Sequence, residues 1–338
     1  MRALVVEACG PGTSLQDGGR VGYQRYGVAS SGAMDRLALA AANALVGNPA
    51  GAAAIEFTLL GGRFTAEGGP VRVAVAGAPS GLALDGQAVP SSATLTVQPG
   101  QVLAVGPMQA GIYAYLAVAG GFDLPPQLGS LSLHQRAALG GFHGRTLQAG
   151  DRLPLHPAPD GPAMTLPPVP LPGDQAIRAV LGPQDDLFTA RGIETFRTAV
   201  FRVSQQADRM GYRLAGPAIE HAAGYNIVSD GIVWGSVQVP GSGEPICMMA
   251  DRQTTGGYPK IATVVSADLR VLAQRRPGDP VRFEVIGIEA AERLARERAA
   301  EIAALPAALT PLRRVPTIEE LLALNLAGAA VDALSGDS

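Results

Sequence analysis

Lysine is almost missing from this 338-residue sequence: of its 26 basic residues Lys260 alone is a lysine, and the others are arginine. Cysteine is nearly as scarce. Cys9 and Cys247 lie far apart and form no Cys-x-x-Cys pair, so a disulfide framework or a zinc knuckle has no support and both read as small core residues. The four histidines show neither His-x-His nor His-Glu-x-x-His spacing, and no metal site is expected. Charge is thin at 16% of residues with a net of -3, and the basic residues are scattered, which argues against nucleic acid or anionic lipid as a ligand. No window approaches the ~20 apolar residues of a membrane span. The start, Met1 to Val6 followed by Glu7, lacks the cationic-then-apolar layout of a secretory signal. A cytoplasmic protein that handles small molecules together with protein partners is expected. The glycine pairs never form Gly-x-x-x-x-Gly-Lys or a Gly-x-Gly-x-x-Gly opening a helix, and no Gly-x-Ser-x-Gly elbow is placed on a strand-turn-helix. Tight turns are the simpler reading of these glycines.

What is present is apolar residues broken by turns: 47% hydrophobic, with 43 glycines and 27 prolines. That mixture predicts many short strands. Strands are expected at Val71 to Ala76, Leu95 to Val97, Val102 to Val105, Tyr113 to Val118, Ile177 to Leu181, Val237 to Val239, Ile246 to Met249, Ile261 to Val265 and Val281 to Val285. A helix is expected from about Ser31 to Val46, where Met34, Leu37, Ala41 and Leu45 recur at helical spacing, capped by Ser30 or Ser31 and ended by Gly47 and Pro49. The fold class is therefore mainly β, barrel or sandwich. Residues 156–175 carry seven prolines and read as a linker between units at 1–155 and 176–288. In the tail, 289–338, Ala291, Leu294, Ala295, Ile302 and Leu305 predict an amphipathic helix, and Thr317 with Glu320 a capping box before a second one. These helices either pack on their own barrels or meet another protein chain.

Residues 14–27 align without gaps to residues 203–216, sharing Gln16/Gln205, Arg20/Arg209, Gly22/Gly211, Tyr23/Tyr212 and Gly27/Gly216. A duplicated β-rich domain accounts for this economically. In so uncharged a chain, polar clusters stand out. Gln16, Asp17, Arg20 and Tyr23 form one; Gln206, Asp208, Arg209, Tyr212 and Arg213 form another; the third runs from Asp251 to Lys260. The first two read either as a structural turn repeated in each domain, its arginine tied to a carboxylate, or as substrate contacts. The third follows one core strand and precedes the next, where binding sites tend to form. There Asp251, Arg252 and Gln253 supply an acceptor, a planar cation and an amide, Tyr258 stands in the Gly-Gly-Tyr-Pro turn, and Lys260 offers a compact ammonium that arginine cannot replace in a narrow cleft.

The segments GTSLQDGGRVGYQRYGVASSGAMDRLALAAANALVGN, AYLAVAGGFDLPPQLGS, GPQDD with VSQQADRMGYRL, and ADRQTTGGYPKIATVVSADL resemble the family described as allophanate hydrolase subunit 2, kinase-inhibitor antagonist or the 5-oxoprolinase C subunit. The resemblance runs in order over about residues 3–288. It implies two tandem cyclophilin-like β-barrels similar to the carboxyltransferase domain of urea carboxylase. It also implies a chain that joins two partners, a kinase-inhibitor-like (allophanate hydrolase subunit 1-like) B component and a lactam-utilisation A component, to hydrolyse 5-oxoproline to glutamate with ATP, used by the complex. Carboxyl transfer to urea, or a non-catalytic regulator of a kinase-inhibitor partner, are the alternatives. Lys260 sits in Tyr-Pro-Lys-Ile rather than a Met-Lys-Met context, so no biotin is attached to this chain. The expected catalytic residues are Lys260, Asp251 and Gln253; substrate contacts are expected from Arg209, Tyr212, Arg252, Tyr258, Gln16, Asp17, Arg20 and Tyr23.

Overall fold

A computed structural model describes residues 2–158 and 160–312. In the N-terminal half two antiparallel sheets face each other. One has six strands, in the order Arg152–Pro154, Ala3–Cys9, Gly62–Glu67, Val102–Met108, Ser80–Leu84 and Gln87–Ala88. The other has five, in the order Ser14–Gln16, Ala54–Thr58, Tyr113–Val118, Val71–Gly77 and Thr94–Val97. Leu4, Val6, Phe64 and Leu103 from the first pack against Leu15, Ile55, Phe57, Val73 and Leu116 from the second.

Because side chains alternate along a strand, the same five-stranded sheet presents a second set outward. Ile55 and Phe57 point into the N-terminal core, so Glu56 between them points away; Ala114 and Leu116 do the same, leaving Tyr113 and Tyr115 on the Glu56 side. Against that outer face lies helix α1, Arg36–Leu45, with Ala38, Ala41, Ala42 and Leu45 in one apolar cluster with Ala74, Ala76, Tyr115 and Ala117. Alanine on both surfaces lets helix and sheet approach closely. Helix α1 begins five residues later than its periodicity suggests. Ser31 is left-handed at φ 51°, Met34 gives its N–H to Glu56, and the cap is Asp35, whose Oδ1 accepts the Ala38 N–H at 3.1 Å. Gly32 explains the delay: a Cβ there would meet the Gly19 backbone at 3.1 Å, so two loops lie back to back and hold the backbone at Ser31 and Gly32 out of helical geometry.

The C-terminal half is one eight-stranded sheet, in the order Pro280–Val281, Phe201–Ala207, Gly211–Ala215, Ile246–Met248, Ser236–Gln238, Lys260–Val264, Ile177–Leu181 and Phe283–Val285. Its two edge strands are consecutive, separated only by Arg282, so the sheet curls until it nearly closes. Most expected strands fall in place within two residues; the run from Val281 to Val285 is broken at Arg282 into these two edges, and Val102 continues to Met108. Helix α2, Ala190–Thr198, packs Phe196 on Phe283 with ring centroids 4.5 Å apart, and the short helix α3, Leu269–Ala273, follows Lys260–Val264.

The proline-rich stretch is pinned. Met164–Thr165 pairs with Thr310–Pro311, Leu166 is buried, and Asp174 accepts from Arg275 at 2.8 Å. Helix α4, Ile288–Ala304, lies with Ala291, Leu294, Ala295, Arg298 and Ile302 half-buried and no side chain fully so. The second tail helix expected after Thr317 falls outside the described residues. The aligned repeat folds differently in its two copies. Residues 203–216 form a hairpin, whereas 14–27 form a three-residue strand, a loop and a turn of 3-10 helix.

Candidate active site

Where the two halves meet, the hairpin loop at Asp208 to Met210 carries one guanidinium across the boundary. Arg209 donates from Nε and Nη2 to Asp251 (2.8 and 3.1 Å), from Nη1 to Glu56 (2.5 Å), and from Nη2 to the Gly32 carbonyl (2.7 Å) and Gln16 Oε1 (3.2 Å). Glu56 is fully buried and fully satisfied: Oε1 takes Arg209, while Oε2 accepts the Met34 N–H at 2.9 Å and the Tyr115 hydroxyl at 2.7 Å. Burial still pushes the Glu56 carboxyl above the usual carboxylate range, with Arg209 as the main opposing influence. Burial likewise works against charge on Arg209, yet Asp251 and Glu56 together outweigh it and hold the guanidinium firmly protonated.

The network continues behind this triad. The Tyr115 hydroxyl accepts the Asp35 N–H at 2.8 Å, and Asp35 accepts Arg270 at 3.0 Å and Gln274 at 3.0 Å from the C-terminal half. Gln274 in turn spans the strand start at Ile112 and Tyr113, accepting both N–H groups at 2.7 and 3.0 Å. Tyr212 is buried, its hydroxyl donating to the Ala273 carbonyl at 3.0 Å; burial pushes the hydroxyls of Tyr113, Tyr115 and Tyr212 up, so all three stay protonated.

In front of the triad opens a cleft of about 560 Å³, lined by Gln16, Tyr113, Arg209 and Asp251 at its base and by His134, Gln135 and Arg136 from a loop of the N-terminal half. The His134 Nδ1 accepts the Ala137 N–H at 3.2 Å, which places the proton of a neutral ring on Nε2 and leaves it as a donor. A second groove, about 500 Å³, shares Arg136, Ala207, Asp208 and Met210 with the cleft and extends it along Arg213, Gln238, Gln253 and Tyr258. Among the described residues, no group of three or more His, Cys, Asp or Glu side chains could hold a metal ion.

The residues expected from sequence separate into five places. Gln16, Arg209 and Asp251 meet in the cleft, with Tyr212 buried behind them; Gln253 and Tyr258 line the groove. Asp17 and Arg20 hold a loop: Asp17 accepts the Gly19 and Leu131 N–H groups and the Ser130 and Ser132 hydroxyls, and Arg20 donates to the carbonyls of Gln127 and Ser132. Thus Arg209 chelates a carboxylate as the turn reading expects, while Arg20 reaches backbone carbonyls instead. Arg252 ties loops together through the Ile232 carbonyl (3.2 Å) and Gln24 Oε1 (3.1 Å), with burial lowering its pKa to about 10, and Tyr23 stands beside Tyr26 at 6.5 Å between centroids. Lys260 is buried, but its Nζ donates to Asp230 at 2.8 Å, and it lines neither the cleft nor the groove. The oxygen that its ammonium meets belongs to the protein, on the half-exposed Asp230.

Sequence reasoning missed Glu56, Asp35, His134, Arg136 and Gln274. Glu56 did carry a signal, as the lone charge inside the apolar run Ala52 to Leu60.

Over residues 26–285 the sequence matches the family of the carboxyltransferase domain, subdomains A and B. The chain belongs to the carboxyltransferase-domain family. Within it, the chain is 39% identical over 290 residues to the 5-oxoprolinase C subunit of Escherichia coli K12, covering 85% of this chain and 93% of that protein. It is 40% identical over 287 residues to the 5-oxoprolinase C subunit of Haemophilus influenzae, covering 84% and 91%. The urea amidolyase structure from K. lactis superposes with a TM-score of 0.84 at 30% identity over 94% of this chain, which spans only 21% of that one. The two-barrel, mainly β carboxyltransferase fold is thereby established.

Proposed function

We propose that this carboxyltransferase-family chain is the C subunit of an ATP-dependent 5-oxoprolinase, opening 5-oxo-L-proline to L-glutamate in the cytoplasm with B-like and A-like partner chains. One observation carries the reading: it matches 93% and 91% of the lengths of two proteins of that name, whereas it spans about a fifth of the urea amidolyase. Among the described residues no helix is long and apolar enough to cross a membrane.

A five-membered lactam is an unreactive amide, and ATP spent by the complex activates it. The cleft suits the electrostatic part of such work. Its base carries no free cation, because Asp251 and Glu56 engage every nitrogen of Arg209. The role of that triad is to hold Asp251 at the cleft wall, where it accepts an amide N–H, while the His134 Nε2–H is a donor on the cleft lining. Substrate hydrogen bonds from Gln253 and Tyr258 come from the adjoining groove.

Reconstitution tests this. The chain alone is expected to give no turnover; with both partner chains present, ATP consumption should rise with 5-oxoproline and not with urea. Stimulation by urea and biotin instead would replace the reading with carboxyl transfer. Robust 5-oxoproline hydrolysis by the chain alone would overturn the need for partners.

A further inference from the structure

Two cations in the site have no carboxylate to hold. Among the described residues, neither the Arg136 nor the Arg213 side chain forms an ion pair or a hydrogen bond, although both line the groove and Arg136 stands where groove and cleft join. This contrasts with Arg209, whose charge is consumed inside the protein. Arg213 is exposed because strand Gly211–Ala215 alternates: Tyr212 and Leu214 point into the barrel, and Arg213 points out. Arg136 is held on the turn Gln135–Ala137 of the other half, so the two guanidiniums face one groove from two domains. The same groove is lined by Gln205, Gln206, Gln253 and Tyr258. One carboxylate also lines the groove, Asp208, but its Oδ1 is engaged by the N–H groups of Met210 and Gly211 at 2.7 and 3.2 Å.

We propose that this groove is an anion subsite in which Arg136 and Arg213 grip a carboxylate or phosphoryl group, while the uncharged remainder of the ligand occupies the adjoining cleft against Asp251 and Gln16. Two guanidiniums and several amides match the planar oxygens of such a group, and guanidinium forks are suited to bidentate contact with either. A groove open to solvent sets a ligand's charge near water and its ring against the cleft wall. The site requires both halves, since each supplies one arginine.

The proposal deepens the 5-oxoprolinase reading, whose substrate carries a carboxylate, yet it can be tested apart from it. The full-length chain is titrated calorimetrically with 5-oxoproline, with 2-pyrrolidinone, which has the same ring and no carboxylate, and with inorganic phosphate. Arg136→Gln and Arg213→Gln should each weaken anion binding by about 10-fold or more, the scale of one charge-assisted hydrogen bond, and leave 2-pyrrolidinone unchanged. Both positions are exposed, so an unchanged melting temperature will verify folding. Loss confined to 5-oxoproline assigns the subsite to a substrate carboxylate; loss confined to phosphate assigns it to a phosphoryl group. If neither anion binds the wild-type chain, or both variants bind as wild type, the subsite is refuted. Arginine-dependent phosphate binding in a chain whose reconstituted complex ignores 5-oxoproline would end the 5-oxoprolinase reading and keep the groove.

Discussion

Replacing Arg209 with methionine removes the one cation between two carboxylates that water barely reaches. Glu56 has no exposed surface and cannot exchange the guanidinium for solvent, while Asp251, 6% exposed, meets water only at the cleft wall. Breaking a buried ion pair by deleting one partner costs about 3–5 kcal/mol, because the remaining charge stays desolvated. The Gly32 carbonyl and Gln16 Oε1 lose a donor as well, which places Arg209→Met at the upper part of that range. At roughly 2–3 °C per kcal/mol for a chain of this size, melting should fall by about 8–15 °C. The pH dependence supplies a sharper check. Burial already raises the Glu56 carboxyl in the folded protein, and removing Arg209 raises it further. A carboxyl with a raised folded pKa binds its proton more tightly when folded; the stabilisation is complete below the unfolded value near ~4.3 and is lost as pH rises through the folded value. The variant's deficit should therefore shrink towards pH ~5 and widen at pH ~8. Adding Glu56→Gln removes one stranded charge, so the double variant should be more stable than Arg209→Met alone at pH ~8, with a coupling above about 1 kcal/mol. Urea denaturation of the four proteins at both pH values measures all of this. A deficit below about 1 kcal/mol, or one indifferent to pH, would refute the reasoning that a charged triad joins the halves.

Three further outcomes are expected. Asp35→Ala should destabilise by about 2–4 kcal/mol in the same denaturation assay, since it removes a helix cap and takes one acceptor each from Arg270 and Gln274; a loss under about 1 kcal/mol would mean that water replaces the carboxylate. The hydrogen bond from Lys260 is the main cause holding the Asp230 carboxyl at about 2, so carbon-detected NMR titration of Lys260→Ala should return it towards the ordinary range. Its folded pKa being depressed, the stabilisation is present above the unfolded value near ~3.9 and is lost as pH falls through about 2, so this acid sensitivity should vanish in the variant. His134→Phe, which keeps a ring but removes the Nε2 donor, should lower complex turnover by about 10- to 100-fold with folding unchanged; normal turnover would remove His134 from the mechanism.

Strand content and the first helix were legible because their signal is local. Val71–Gly77 and Tyr113–Val118 are β-branched or aromatic runs between turns, and α1 shows its spacing over Leu37, Ala41 and Leu45. The family resemblance likewise rested on contiguous segments. The beginning of α1 was not legible, because Met34 and Ser31 are claimed by Glu56 and by a loop packed against Gly19, partners distant in sequence. The candidate site shows the same division. Sequence marked Gln16, Arg209 and Asp251 as polar residues out of place in an apolar chain, but nothing local says that Arg209 spends its charge on Glu56, 153 positions away. Nor does anything local say that Lys260 turns to Asp230, or that Arg136 and Arg213 are left without a carboxylate. Composition and periodicity determine which residues form strands and which stand out as polar. Which charges cancel and which remain for a ligand is decided only when two barrels close on one another, because ion pairing depends on distance in space and on the water excluded between the partners.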